Sequence, residues 1–315
     1  GTLAEVTVQV VGDPAAVSPL TWVQATLNEG VIPVTTEDGQ VTVNNAFDVS
    51  GSVSYYSAAR AVEGMTMTLD GSASYSQVTG ADGSYAIANV PSDTYVLTGS
   101  KSDGVEVGDI SALDASFVLQ HDAGLITLDP LQEVAGDVNG SGAPTAFDAS
   151  LILQHAVVLI PLPFPGSSRV WACDPPSRSY LPLNLHQTGQ DFTAILIGDV
   201  TGNWGDGAKD LSGTAVLELD GLPECGGGTA TVRLGALAAG TDLFAVELTF
   251  EVDPAVVLVT DIRRGALTAT WTMVVNDQVP GVLPVALAGT PPVTVVGDLL
   301  ELDLAAGGPR ASWLD

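Results

Sequence analysis

The sequence predicts a mainly β protein, built of tandem β-sandwich modules with a small α-helical repeat inserted among them, and three observations carry this. Apolar and polar residues alternate along most of the chain, the period of a half-buried strand. The apolar 46% is mostly Val, Ala and Leu, and it comes with 35 Gly and 19 Pro, which suits short strands joined by tight turns. Between residues 101 and 160 helical spacing replaces the alternation, and an eight-residue block there occurs twice. At 315 residues the chain suits two to four domains.

Residues 1–48 read as strands: LAEVTVQVV, TWVQATLNEG and VIPVTTEDGQVTV alternate, with turn signals at Asn28-Glu29-Gly30 and Glu37-Asp38-Gly39. Three strands have little core of their own, so this segment is expected to need a partner. Residues 49–100 form a second β unit with turns at Asp70-Gly71 and Asp82-Gly83. In residues 101–210, DASFVLQH (Asp114–His121) returns as DASLILQH (Asp148–His155), and each copy predicts a short helix. A Pro-rich stretch and strand-like text come next, ending in IGDVTGNWGDG. Residues 211–315 alternate almost throughout, the pattern of a sandwich with an inner and an outer face.

The chain carries 37 acidic residues against 9 basic ones, a net charge of −28, which argues against nucleic acid and anionic membranes as partners. No stretch reaches the ~18 uninterrupted apolar residues of a membrane helix. The N-terminal GTLAEVTVQV is not a signal peptide, so a secretion signal is expected to have been removed or to lie outside this chain. Cys173 and Cys225 are too few for a disulfide scaffold or a zinc cluster. They would form one bridge between neighbouring modules or remain buried thiols. No G-x-S-x-G, H-E-x-x-H or P-loop is present, and none of the three histidines stands beside a plausible nucleophile, so a non-catalytic protein is expected.

A calcium loop needs oxygen ligands at fixed offsets and a glycine where the chain turns sharply. From Asp137 the text DVNGSGAPTAFD supplies Asp137, Asn139 and Ser141 at positions 1, 3 and 5, and Gly142 at 6. Ala143 falls at 7, where a main-chain carbonyl serves, Thr145 at 9 and Asp148 at 12, where the repeated helix begins. An Asp/Asn/Gly turn with a helix cap is the plainer reading, but the helix begins where calcium coordination needs it. A weaker companion, Asp103 to Asp114, keeps Asp103, Gly108, Ser111 and Asp114, with Asp109 at position 7 offering its side chain, but has Val105 and Val107 at ligand positions. A third opening, Asp199, Thr201 and Asn203, has Trp204 where glycine belongs, and reads most simply as an Asp/Asn turn.

Two loop–helix units 34 residues apart resemble the type I dockerin pattern. The resemblance implies a pair of calcium-loop helices that dock onto cohesins through loop positions 10 and 11, here Ala112-Leu113 and Ala146-Phe147. Both pairs are more apolar than the Ser-Thr usual in that family, which departs from cellulosomal specificity; simple packing at a helix start is their plainer role. His121 and His155 end the two helices, where packing or capping of carbonyls fits better than metal ligation. Residues 49–100 resemble prealbumin-like or Cna-B-like modules in the order G-x-V-x-Y, T-x-x-x-G-x-Y, N-V-P, Y-x-L.

Within residues 211–315, FAVELTFEVDPAVVLVTDIRRGALTATW and NDQVPGVLPVALAG resemble cohesin segments, although the closing strands of that domain are missing. GTLAEVTVQVVGDPAAVSPL at the N-terminus parallels GDLLELDLAAGGPRASWL near the C-terminus and runs on into LNEGVIPVTTEDGQVTV, which resembles a cohesin ending. Residues 1–48 thus resemble the C-terminal strands of one cohesin-like sandwich, and 211–315 another that lacks its last strands. The expectation is a secreted or cell-surface, calcium-stabilised structural protein. Its partners would be other copies of itself or cohesin- and dockerin-bearing proteins, joined by docking or by strand complementation. The alternative is a carbohydrate-associated binding module of a larger secreted protein.

Overall fold

The computed structural model describes residues 16–42, 46–205, 215–221 and 227–306. In chain order the strands and helices are β1 (Val17–Leu20), β2 (Gly39–Thr42), β3 (Ala46–Tyr55), β4 (Thr66–Asp70), β5 (Ser74–Val78), β6 (Ser84–Pro91), β7 (Tyr95–Ser100), α1 (Ala112–Asp122), α2 (Pro130–Gly136) and α3 (Ala146–Ala156). They continue as β8 (Trp171–Asp174), β9 (Arg178–Tyr180), β10 (Phe192–Leu196), β11 (Ala215–Asp220), β12 (Gly227–Leu237), β13 (Leu243–Glu251), β14 (Val257–Arg264), β15 (Thr272–Val275), β16 (Val282–Val293) and β17 (Gly297–Ala306). Strands hold 44% of the described residues and helices 11%, so the fold is mainly β. The chain divides into two compact units, residues 1–54, 61–100 and 173–193, and residues 55–60, 101–172 and 194–315.

In the first unit β4 lies between β5 and β7, and β9 adds to β7 with Tyr95 opposite Tyr180. β3 pairs antiparallel with β6. Alternation sends Val49, Val53, Met67, Leu69, Tyr85, Ile87, Tyr95 and Leu97 inward, all buried. The Pro-rich stretch, grouped with the helical repeat on sequence, contributes Cys173–Thr193 to this unit. Cys173 is half-buried, its Sγ 3.6 Å from Met65 Sδ; Cys225, its expected partner, lies outside the described residues.

Of the three runs expected in residues 1–48, LAEVTVQVV lies outside the described residues. The others form less strand than their alternation predicts: β1 pairs with β2, while residues 21–38 hold only a single Leu27–Ile32 bridge and a 3₁₀ turn at Asn28–Gly30. Nearly every residue from 16 to 42 is exposed. Alternation yields a strand only where one face is buried.

The second unit holds the helices and a sandwich. One sheet runs β11-β12-β17-β14 and the other β13-β16-β15. Their facing sides enclose Val232, Leu234, Trp271, Val285, Leu287, Leu299, Leu300 and Leu302. Trp271 is the largest of these and lies over Gly289, where a Cβ would collide with its ring. α1 and α3 pack on each other, burying Ala115, Val118, Ala149, Ile152 and Leu153. Together they lie against the sandwich, α1 on β16 and β13, α3 on β15 and β16.

Candidate metal centre

The six residues read as one loop from Asp137 to Asp148 converge. Glycines at 140 and 142 take left-handed backbone (φ 72° and 106°), which turns the chain around the Asp137 carboxylate. Asp137 Oδ1 accepts the Ser141 N–H at 2.9 Å and Oδ2 the Gly142 N–H at 2.8 Å. Asn139 Oδ1 accepts the Ser141 N–H at 2.7 Å, and Ser141 Oγ lies 3.4 Å from both Asp137 Oδ1 and the Ala143 carbonyl. Asp148, fully buried in the first turn of α3, closes the ring: Oδ1 accepts the Asn139 N–H at 3.1 Å, and Oδ2 the Thr145 N–H and hydroxyl at 3.0 and 2.7 Å.

The companion residues 103–114 do not close in this way. Asp103 is exposed and paired with Lys101 at 2.7 Å, its carbonyl accepting the Trp171 indole N–H. Asp109 accepts the Glu106 N–H at 2.7 Å. Ser111 and Asp114 pair across the start of α1, Asp114 Oδ2 accepting the Ser111 N–H and hydroxyl at 2.8 and 3.0 Å. The other oxygen, Asp114 Oδ1, accepts the N–H and hydroxyl of Thr201, both at 2.8 Å.

The third candidate segment therefore completes the companion one. Asp199 Oδ1 accepts the N–H groups of Gly202 and Asn203 at 2.8 and 3.1 Å, and Oδ2 accepts the Trp204 N–H at 2.8 Å. Five positions of the 137–148 loop have counterparts here. Asp199 stands for Asp137, Thr201 for Asn139, Asn203 for Ser141, Ser111 for Thr145 and Asp114 for Asp148. Gly202 has the φ of Gly140, 72°. Asn139 N–H to Asp148 Oδ1 and Thr201 N–H to Asp114 Oδ1 are the same bond in the two places. The signal was present in the sequence as Gly-Asp-Val-Asn-Gly at 136–140 and Gly-Asp-Val-Thr-Gly at 198–202.

Two features distinguish the composite place. Asp114 and Asp199 are both fully buried. Burial, then the neighbouring Asp199 charge, pushes Asp114 up to about 7, and burial raises Asp199 as well. It is also walled by aromatics: Tyr55 donates its hydroxyl to Asp199 Oδ2 at 2.6 Å, and its ring centroid lies 5.0 Å from Trp204 and 6.0 Å from Trp171. Among the described residues no three His, Cys, Asp or Glu side chains gather in one place. Each candidate pairs two carboxylates with neutral oxygens, a donor set suited to a hard cation and not to a thiophilic one.

The four residues read as partner-binding fall on different surfaces. Ala112 is buried at the start of α1, where its N–H donates to Glu247 Oε1 on β13 at 2.5 Å. Leu113 and Ala146 are exposed, and Phe147 is 62% exposed. Glu247 and Asn276, whose amide donates to the Val157 carbonyl at 2.8 Å, are contacts that no motif signalled. His121 Nδ1 accepts the Leu128 N–H and His155 Nδ1 lies 3.1 Å from the Ile160 carbonyl, so neither reaches a candidate metal position.

No family model matches the chain and no curated protein matches it. Solved structures to which it is similar include a non-cellulosomal cohesin from Archaeoglobus fulgidus, at 15% identity and a TM-score of 0.23 over 27% of this chain. They also include the full-length major pilin SpaD of Corynebacterium diphtheriae, at 12% identity and a TM-score of 0.24 over 85% of this chain. The match spans 57% of each of those chains. Among the described residues no helix is long and apolar enough to cross a membrane.

Proposed function

We propose that this is a non-catalytic structural protein of an extracellular or cell-surface assembly, stabilised by two bound calcium ions and associating head-to-tail with further copies of itself. One observation carries the reading: two equivalent oxygen clusters sit at the starts of two repeated helices that lie against a sandwich. Asp137, Asn139, Ser141, Thr145 and Asp148 with the Ala143 carbonyl would hold one calcium, and Asp199, Thr201, Asn203 and Asp114 the other. When bound, the ion supplies the positive charge that offsets the two carboxylates of each cluster. The chain itself supplies the positions: left-handed glycines aim main-chain N–H groups at Asp137 and Asp199, and the helix starts fix Asp148 and Asp114. Because both clusters lie at helix starts, calcium is expected to hold the helices in the geometry that fits them to β13, β15 and β16.

A glycan-binding role receives less support. Trp171 and Trp204 meet edge to face at 87° and spend their indole N–H groups on the Asp103 and Gly104 carbonyls, so they offer no flat row for a sugar to stack on. The test is calorimetric titration of chelated protein with calcium, then melting with and without the ion. Two binding events and a raised melting temperature support the reading; no heat and an unchanged melt overturn it.

A further inference from the structure

The sandwich of the second unit is open at β11. β11 pairs with β12 so that Leu217 stands opposite Leu234 and Leu219 opposite Val232. Directly paired residues of an antiparallel ladder point to the same face. Leu234 and Val232 are interior residues, 0% and 5% exposed, so Leu217 and Leu219 also face the interior; yet each is 47% exposed. The reason is in the sheets: four strands face three, and among the described residues no strand lies over β11. A β-bulge between Val216 and Leu217 leaves Val216 exposed as well.

The same chain carries a segment of the matching kind. β1 and β2 pair only with each other, and around them Trp22 (60%), Val23 (97%), Val31 (80%) and Ile32 stand exposed. The described part of this segment, residues 16–42, has the 20–30 residues that one side of a standard protein interface uses. Its place in the sequence is equally specific. In sequence Leu3-x-Glu5-Val6-x-Val8 parallels Leu299-x-Glu301-Leu302-x-Leu304 of β17, so residues 16–42 follow a segment written like β17. In the described sandwich β17 is the last strand in chain order, so a segment from that position is of the kind that would extend it.

We propose that the open seam beside β11 is an interaction surface whose partner is a second copy of this chain, with the β1–β2 segment of one copy covering Leu217 and Leu219 of the next. This rests on the assembly reading above and names its contact. Donor and acceptor surfaces differ, so the contact is heterologous and repeats from copy to copy without pairing off. Each copy carries a net charge of −28, so copies repel one another at low ionic strength. Association is therefore expected to strengthen with ionic strength.

The test uses two variants of the full chain, each changing exposed residues only: an acceptor-blocked L217D/L219D and a donor-blocked V31D/I32D. Sedimentation velocity in calcium is expected to show wild-type chains in species larger than a dimer, and each variant alone as monomer. An equimolar mixture of the two is expected to give dimers and nothing longer, because one intact donor then meets one intact acceptor. Calcium-dependent melting equal to wild type checks that the variants are folded. Wild-type assemblies that persist in both variants overturn the seam and leave the assembly reading standing. A wild-type chain that stays monomeric at all concentrations and salt levels overturns both.

Discussion

Thr201 and Asp114, 87 residues apart in the chain, are joined twice, the Thr201 N–H and hydroxyl both donating to the same carboxylate oxygen at 2.8 Å. Through this link Asp199 and Asp114 do together what Asp137 and Asp148 do within one loop.

The two clusters are therefore expected to lose calcium separately. Asp148→Asn should weaken one binding event at least tenfold, about 1.4 kcal/mol, and leave the other within twofold. Asp114→Asn and Asp199→Asn should each weaken the second instead. Calorimetry on the three variants decides this; if Asp114→Asn and Asp148→Asn weaken the same event, the composite pairing is wrong.

Terbium offers an optical version. Tyr55 and Trp204 belong to the composite cluster, so excitation of the aromatics should sensitise terbium bound there. Trp204→Phe should remove most of that emission while calorimetry still counts two ions. Emission unaffected by the change would place the bound lanthanide elsewhere.

Glu247 holds the first N–H of α1. Glu247→Ala should cost roughly 1.5–3 kcal/mol in denaturant unfolding, the worth of a hydrogen bond to a charged group, and Glu247→Gln clearly less. Equal losses in the two variants would mean that the carboxylate charge contributes nothing at this helix start.

Trp271 fills the middle of the sandwich interior and bonds the Pro291 carbonyl at 3.2 Å. Trp271→Ala should destabilise by about 3–5 kcal/mol, the usual cost of emptying so large a site. Gly289→Ala should also destabilise, because the added methyl meets the indole. A melting temperature within a degree of wild type for either variant would contradict this packing.

Alkaline titration should find phenols that resist ionisation. Burial pushes Tyr180 up to about 12 and raises Tyr85 further, both hydroxyls being engaged by Gln190. The folded chain therefore keeps protons that the unfolded chain releases near pH 10. This contribution to stability is whole below pH 10 and is lost as pH rises through about 12. Absorbance at 295 nm, compared in buffer and in urea, should show these tyrosines ionising later in the native protein; coincident curves would refute it.

Several elements were legible before any coordinates. DASFVLQH and DASLILQH form α1 and α3, because helical spacing of apolar residues behind an Asp that can answer the N-cap is a local property. Alternation likewise found the sandwich strands β12, β13, β16 and β17. It overstated residues 21–38, where the pattern is present but no partner among the described residues buries it.

Residue types and spacings along the chain were enough to indicate that the protein is mainly β, that one helix-forming block occurs twice, and that polar groups from Asp137 to Asp148 can bond one another. Each of these is settled by neighbours within about a dozen residues. Only the tertiary structure decided that Asp114 meets Thr201 beside Asp199, that Ala112 turns inward to Glu247 while Phe147 faces solvent, and that Leu217 and Leu219 stand opposite interior residues yet stay exposed. The physical reason is common to all three: hydrogen bonding and burial are set by distance in space, and a repeat written identically in sequence acquires different neighbours once the chain has folded.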